Sequence, residues 1–260
     1  MKKTCVVAVP IYKKTFSHDE EMCVRKYASV FSEEKLIFIC PDSLDRSYYL
    51  DCFPAFEYEP FQDKFFKGIK GYNRLMLSES FYERFDKFDY ILIAQPDAVI
   101  WRDENMLSHF MDKGFDYYGA PWIPERRIWE WTWVRDTDGK HGVIECAKKK
   151  DHGIVMGNGG FSLRKIKPCI KLIHEHRWRK IYWFIKRNED IFFGLLGRKG
   201  NNRCDFKLAD IETGKAFALE YDLKDYVDKG EVPFGVHGWN KYFDTFEEME
   251  NYLKEKGIWH

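Results

Sequence analysis

The chain of 260 residues has no net charge: Lys and Arg together number 42, and so do Asp and Glu. A dedicated nucleic-acid binder needs a basic excess to neutralise phosphates, so nucleic acid is not expected as a partner. The cysteines are odd in number, seven, and none are spaced C-x-x-C. That excludes a disulfide framework or a zinc site as the expectation, and points to free thiols in a reducing compartment. No apolar run approaches the ~20 residues of a membrane-spanning helix. The run from Cys5 to Val9 is too short for the core of a secretory leader and is stopped by Pro10, so it reads as a first strand of a cytoplasmic protein. Two phosphate-binding signatures are missing as well: there is no G-x-G-x-x-G and no G-x-x-x-x-G-K-[ST]. Internal repeats and low-complexity linkers are also absent.

What the chain does have is apolar and aromatic mass. Hydrophobic residues make up 45% and aromatic residues 18%, enough for a sizeable core and too much for disorder. Continuous apolar runs at 5–9, 35–40 and 90–94 predict strands buried on both faces, and 56–58 predicts a shorter one. Helices are predicted over 20–31 and 72–85 between them. Strands alternating with helices imply an α/β domain with a mostly parallel central sheet flanked by helices. Further on, helices are predicted over 107–113, 166–175 and 188–196, and short strands over 115–119 and 161–163. Residues 123–152 are dense in Trp, Arg and Lys without a period, and read as a long functional excursion, a flap beside the site. One domain over 1–260 is expected, with a nucleotide half to about residue 100 and an acceptor half from 101 to 260.

Several segments carry candidate chemistry. The strand 90–94 runs into Gln95-Pro96-Asp97. Ligands of open parallel sheets bind at the carboxyl ends of strands, and a carboxylate there is placed to hold a divalent cation against a diphosphate. A plain turn-forming Asp is the alternative. His237 lies close to glycines on both sides, which let a backbone approach a ligand, although a lone His among apolar residues is often a core residue. Gly157-Asn158-Gly159-Gly160 is either a turn into a strand or a rim against which a sugar lies. Asn188-Glu189-Asp190 opens an apolar stretch. The acids there complement a helix N-terminus, and one of them is also placed to act as a general base. The run 176–187 is basic and aromatic, suited to an anionic membrane surface or to a half-buried helix.

Taken in order, the segments 90–100, 115–122, 157–164, 188–193 and 233–239 resemble GT-A glycosyltransferases, and more closely a bacterial family known as DUF5672. The resemblance implies a single GT-A-like (Rossmann-like) domain that transfers a sugar from a nucleoside-diphosphate donor, UDP-linked by family habit, to a glycan or lipid-linked acceptor. It implies a donor site at Pro10, Ile11, Tyr12, Gln95 and Asp97, with Lys70 or Arg74 adding positive charge. An acceptor site is implied at Trp122, Asn158, Gly159 and Gly160. Asp97 inherits the metal-binding position of an Asp-x-Asp motif whose first place is held by Gln95, and His237 completes the site for Mn²⁺ or Mg²⁺. Asp190, with Glu189 beside it, matches the base of inverting enzymes. Other classes fit less well. A sugar nucleotidyltransferase needs a Gly-rich basic loop after the first strand, where this chain has Pro10-Ile-Tyr-Lys-Lys. A non-catalytic carbohydrate-binding protein would leave Asp97, Asp190 and His237 unused.

Overall fold

The computed structural model describes residues 3–126, 154–177 and 188–259. The excursion expected over 123–152 and the basic run over 176–187 therefore lie largely outside the described residues.

The strands are β1 (Cys5–Pro10), β2 (Lys35–Pro41), β3 (Glu57–Phe61), β4 (Tyr90–Ala94), β5 (Ala98–Ile100), β6 (Tyr117–Tyr118), β7 (Pro121–Arg126), β8 (Ile154–Met156), β9 (Phe161–Lys165), β10 (Ala218–Leu219) and β11 (Gly235–His237). The helices are α1 (His18–Val30), α2 (Ser47–Cys52), α3 (Gly68–Met76), α4 (Glu79–Glu83), α5 (Leu107–Lys113), α6 (Ile166–Glu175), α7 (Glu189–Leu196), α8 (Ile211–Phe217), α9 (Leu223–Asp228) and α10 (Phe246–Glu255).

Six strands form the central sheet in the order β3-β2-β1-β4-β9-β6. The pairs β1/β2, β2/β3 and β1/β4 are parallel, while β9 runs antiparallel to both β4 and β6. Every residue of β1 and β4 is buried, as expected of strands covered by helices on both faces. The sheet joins the two expected halves of the chain, because β9 pairs with β4 along its length, Tyr90 opposite Lys165 to Ala94 opposite Phe161. A second, three-stranded sheet of β10, β11 and β5 lies beyond the end of β4.

The topology creates a crevice. The chain leaves β1 for β2 and β3 on one side, then returns to β4 on the other side of β1. Such a reversal leaves the carboxyl ends of β1 and β4 uncovered by the connections that follow them. The helix α1 that follows β1 begins with a capping box: Ser17 Oγ accepts from Glu20 N, and the Glu20 carboxylate accepts from Ser17 N. The expected helix over 72–85 is two helices, α3 and α4, with extended backbone at Ser78 between them. No helix among the described residues is long and apolar enough to cross a membrane. The described cysteines are all free.

Candidate active site

At the crevice, β4 ends in a tight turn. Ala98 N donates to Gln95 O at 3.0 Å, with Pro96 and Asp97 at the corner. Proline pre-sets the backbone for that position of a turn. The buried Tyr27 hydroxyl of α1 lies between Gln95 O, at 2.9 Å, and Ala98 O, which pins the turn to the helix. Across the switch point, β1 delivers Pro10, Ile11 and Tyr12. These two strand ends and the start of α3 enclose a cavity of about 310 Å³, lined by Pro10, Ile11, Tyr12, Tyr72, Gln95, Pro96 and Asp97, with Lys13, Glu20 and several aromatic rings.

The cavity is apolar on one side and charged on the other. Tyr12 is 61% exposed and Ile69 is 70% exposed, so two apolar side chains on its wall lie open to solvent. The Tyr72 hydroxyl is buried and makes no hydrogen bond of good geometry among the described residues, and burial pushes its pKa up. Lys13 is the cation of the wall and pairs with Glu20 at 2.7 Å. Burial alone would raise the Asp97 carboxyl. The His237 imidazole beside it, a backbone N–H and Lys13 together outweigh that, so the carboxyl lies below its usual range and Asp97 stays charged.

His237 arrives from β11, whose register places it opposite Ala98, next to the turn. Its Nε2 is 3.5 Å from Asp97 Oδ1 and makes no hydrogen bond of good geometry among the described residues. Its Nδ1 is 2.8 Å from the amide nitrogen of Asn158. That same nitrogen donates to Glu220 Oε2 at 2.5 Å, while Asn158 Oδ1 accepts from Gly160 N at 2.9 Å. Glu220 in turn receives Lys241 Nζ at 2.7 Å.

The loop 157–160 gathers the remaining candidates. A Cβ on Gly160 would lie 2.4 Å from His237 Nε2 and 2.9 Å from Gln95 Oε1, and a Cβ on Gly159 would lie 1.9 Å from Glu189 Oε1. Only a bare backbone lets these side chains close around it. On the Gly159 side the buried Arg164 guanidinium donates to Glu189 Oε1 at 3.0 Å, to Ser162 Oγ at 2.9 Å through Nε and to Tyr82 Oη at 3.0 Å. It also lies over the rings of Tyr117 and Phe193.

The structure thus brings Pro10, Ile11, Tyr12, Gln95, Asp97 and His237 together, with Asn158, Gly159 and Gly160 behind them. Asn158 is buried and faces His237 and Glu220, so its amide is spent inside the protein. Trp122 is 4% exposed, with its indole against the backbone of Gly157. Lys70 and Arg74 are exposed on α3 and do not line the cavity, to which that helix turns Gly68, Ile69 and Tyr72. Glu189 is buried in its pair with Arg164. Asp190 is half-buried in the first turn of α7, and its Oδ1 accepts from Ile191 N. Three further residues, Arg164, Glu220 and Lys241, belong to the network around the site without a role in the sequence reading. Arg164 carried little signal, because in Phe161-Ser-Leu-Arg-Lys165 it looks like one of two basic residues at the end of a strand. Glu220 and Lys241 carried none, because their partners lie far away along the chain.

A divalent ion bound with a diphosphate takes one or two carboxylates together with phosphate oxygens and water. Asp97 fits, being ionised and at the cavity. His237 does not fit in the arrangement present: a ligating imidazole nitrogen needs its ring partner to carry the proton and donate it, whereas Nδ1 here faces the donor amide of Asn158. Among the described residues no group of three or more His, Cys, Asp or Glu could hold a metal on its own.

The model of a family described as "Protein of unknown function (DUF5672)" matches residues 55–237. No curated protein matches the chain. Among solved structures, an active-site mutant of LgtC is 13% identical, covers 97% of this chain and 95% of its own, and gives a TM-score of 0.53. The galactosyltransferase LgtC in complex with donor and acceptor sugar analogs is 12% identical, with the same coverages and a TM-score of 0.51. The mannosyltransferase Ktr4p from S. cerevisiae is 9% identical with a TM-score of 0.51, over 75% of this chain and 66% of that one. The shared architecture is the GT-A fold of glycosyltransferases.

Proposed function

The chain belongs to the DUF5672 family, and on that premise we propose that it is a glycosyltransferase, moving a sugar from a nucleoside-diphosphate donor to a hydroxyl of a glycan or lipid-linked acceptor. The observation that carries this reading is the cavity at the switch point between β1 and β4, with Asp97 at the turn that closes it.

The base and ribose of the donor, uridine in the first instance, occupy the aromatic side of the cavity. There Tyr12 offers an uncovered ring face. The diphosphate points to Asp97 and the turn. Mg²⁺ or Mn²⁺ held at Asp97 would neutralise the negative charge that builds on the leaving diphosphate. Lys13, on the same wall, adds a fixed positive charge. The low pKa of Asp97 keeps it anionic throughout the neutral range, so its affinity for a cation does not depend on a proton leaving. Asp190 takes the proton from the acceptor hydroxyl, which attacks the anomeric carbon from the face opposite the leaving group and inverts it. Glu189 holds Arg164, which also donates to Gly159 O, in place beside it.

The test is calorimetric. UDP or GDP should bind, and Tyr12→Ala should weaken binding about tenfold or more, the scale of base stacking on an aromatic ring. Tyr12 is exposed, so its loss leaves the core intact. A protein that binds neither nucleotide, or binds them equally well without Tyr12, would remove the cavity from the donor site.

A further inference from the structure

We propose that His237 serves the donor diphosphate as an Nε2–H hydrogen-bond donor, in a tautomer set by Asn158 and Glu220, and is not a ligand of the ion. The inference rests on the reading of the cavity as a donor site and assigns one residue of that site.

The Asn158 amide is fixed in one orientation from two sides. Its oxygen accepts from Gly160 N at 2.9 Å, and its nitrogen donates to Glu220 Oε2 at 2.5 Å. Turning the amide over would set oxygen against carboxylate and nitrogen against an N–H, losing both bonds. Glu220 in turn accepts from Lys241 Nζ at 2.7 Å. Asn158 adopts φ of 44°, a left-handed conformation that Asn tolerates better than most residues and that sets this side chain between the two partners.

One amide hydrogen goes to Glu220. The other points to His237 Nδ1, 2.8 Å away. Nδ1 must accept it, so the neutral ring carries its proton on Nε2. The arrangement is the reverse of the one a metal-bound imidazole uses, in which the free ring nitrogen donates to a carboxylate or carbonyl. The Nε2–H is then a buried donor that makes no hydrogen bond of good geometry among the described residues. It lies 3.5 Å from Asp97 Oδ1, beside the turn that the cavity exposes. A donor held by a scaffold, already desolvated and next to where a leaving oxygen gains charge, stabilises that charge without reorganising. Gly160 is packed against this nitrogen, leaving no room for a side chain there.

Long-range ¹H–¹⁵N spectra report the tautomer of each histidine directly, and His237→Gln identifies the signal. The expected result for the free protein at pH 8 is the Nε2–H form. The exchange Asn158→Asp with Glu220→Gln keeps the pair's charge but presents an acceptor to Nδ1, and should switch the ring to the Nδ1–H form. Calorimetry with UDP and GDP in EDTA should show His237→Ala at least about tenfold weaker, and His237→Gln, which keeps an N–H there, within about threefold of the parent. Mn²⁺ binding measured by electron paramagnetic resonance without nucleotide should be the same in all three. An Nδ1–H signal in the free protein overturns the inference, and so does a tenfold loss of Mn²⁺ affinity in both His237 variants. Failure of the parent protein to bind either nucleotide would overturn the donor-site reading and this inference with it. That failure is recognisable because the tautomer is read without ligand.

Discussion

The Arg164 guanidinium and the Glu189 carboxylate meet at 3.0 Å with side chains 0% and 5% exposed, directly behind Gly159. A buried ion pair contributes little against a well-packed apolar pair, but removing one partner strands the other charge. Glu189→Gln should therefore lower stability by roughly 3–5 kcal/mol. Urea denaturation measures it. A loss under ~1 kcal/mol would mean that the pair is not what holds the Gly159 loop.

Asp190, the next residue, should behave in the opposite way. It is half-buried in the first helical turn, so Asp190→Asn should cost about 1 kcal/mol or less of stability. Turnover should fall by a factor of roughly 10² or more while donor binding is kept, as for loss of a general base. Melting temperature and turnover on the same variant separate the two effects. Near-normal turnover would take Asp190 out of the mechanism, and a product that retains the donor's anomeric configuration would exclude inversion.

Gly160→Ala probes the closeness of the site. The new methyl would sit 2.4 Å from His237 Nε2 and 2.9 Å from Gln95 Oε1. Overpacking of this kind costs about 1–3 kcal/mol. Because the imidazole has to move, UDP or GDP affinity should fall about tenfold or more, a drop of ~1.4 kcal/mol. Unchanged affinity would show that His237 and Gln95 move aside without consequence for the ligand.

The sequence made the frame of the site visible but not its wiring. β1, β2 and β4 were legible because strands buried on both faces read as unbroken apolar runs, and the place of Asp97 at the turn was legible because it follows the strongest of them. The break between α3 and α4 was hidden: Phe81, Tyr82 and Phe85 continue the apolar face of α3, and periodicity cannot register one extended residue at Ser78. Lys70 and Arg74 look suitable as charges near a diphosphate, yet α3 turns them outward, and a helical phase is set by packing. Asn158 read as an acceptor contact because an exposed Gly-rich turn and a buried one have the same composition. Its partners, Glu220 and His237, lie 62 and 79 residues away along the chain. Such contacts depend on topology.

The depressed Asp97 carboxyl makes a pH prediction. A group whose folded pKa is lowered contributes stability that is present above its unfolded pKa, near ~3.9, and is lost as pH falls through the folded value. Asp97→Asn should therefore be less stable than the parent at neutral pH, and the gap in melting temperature should close in acid below about pH 4. A gap that stays constant from neutral pH into acid would mean that the charge of Asp97 is not what its neighbours favour. The same variant should lose any strengthening of UDP or GDP binding by Mn²⁺.

The central claim, donor chemistry at the β1–β4 crevice, is tested most directly by turnover. Release of nucleoside diphosphate from a panel of UDP-, GDP- and dTDP-sugars should be measured with and without candidate glycan acceptors, for the parent protein and for Asp97→Ala in parallel. The account predicts release from at least one donor, lowered by a factor of about 10² or more in Asp97→Ala, as expected when a charge-stabilising group at the leaving diphosphate is removed. Binding without turnover of any donor, or turnover unchanged by Asp97→Ala, would contradict it.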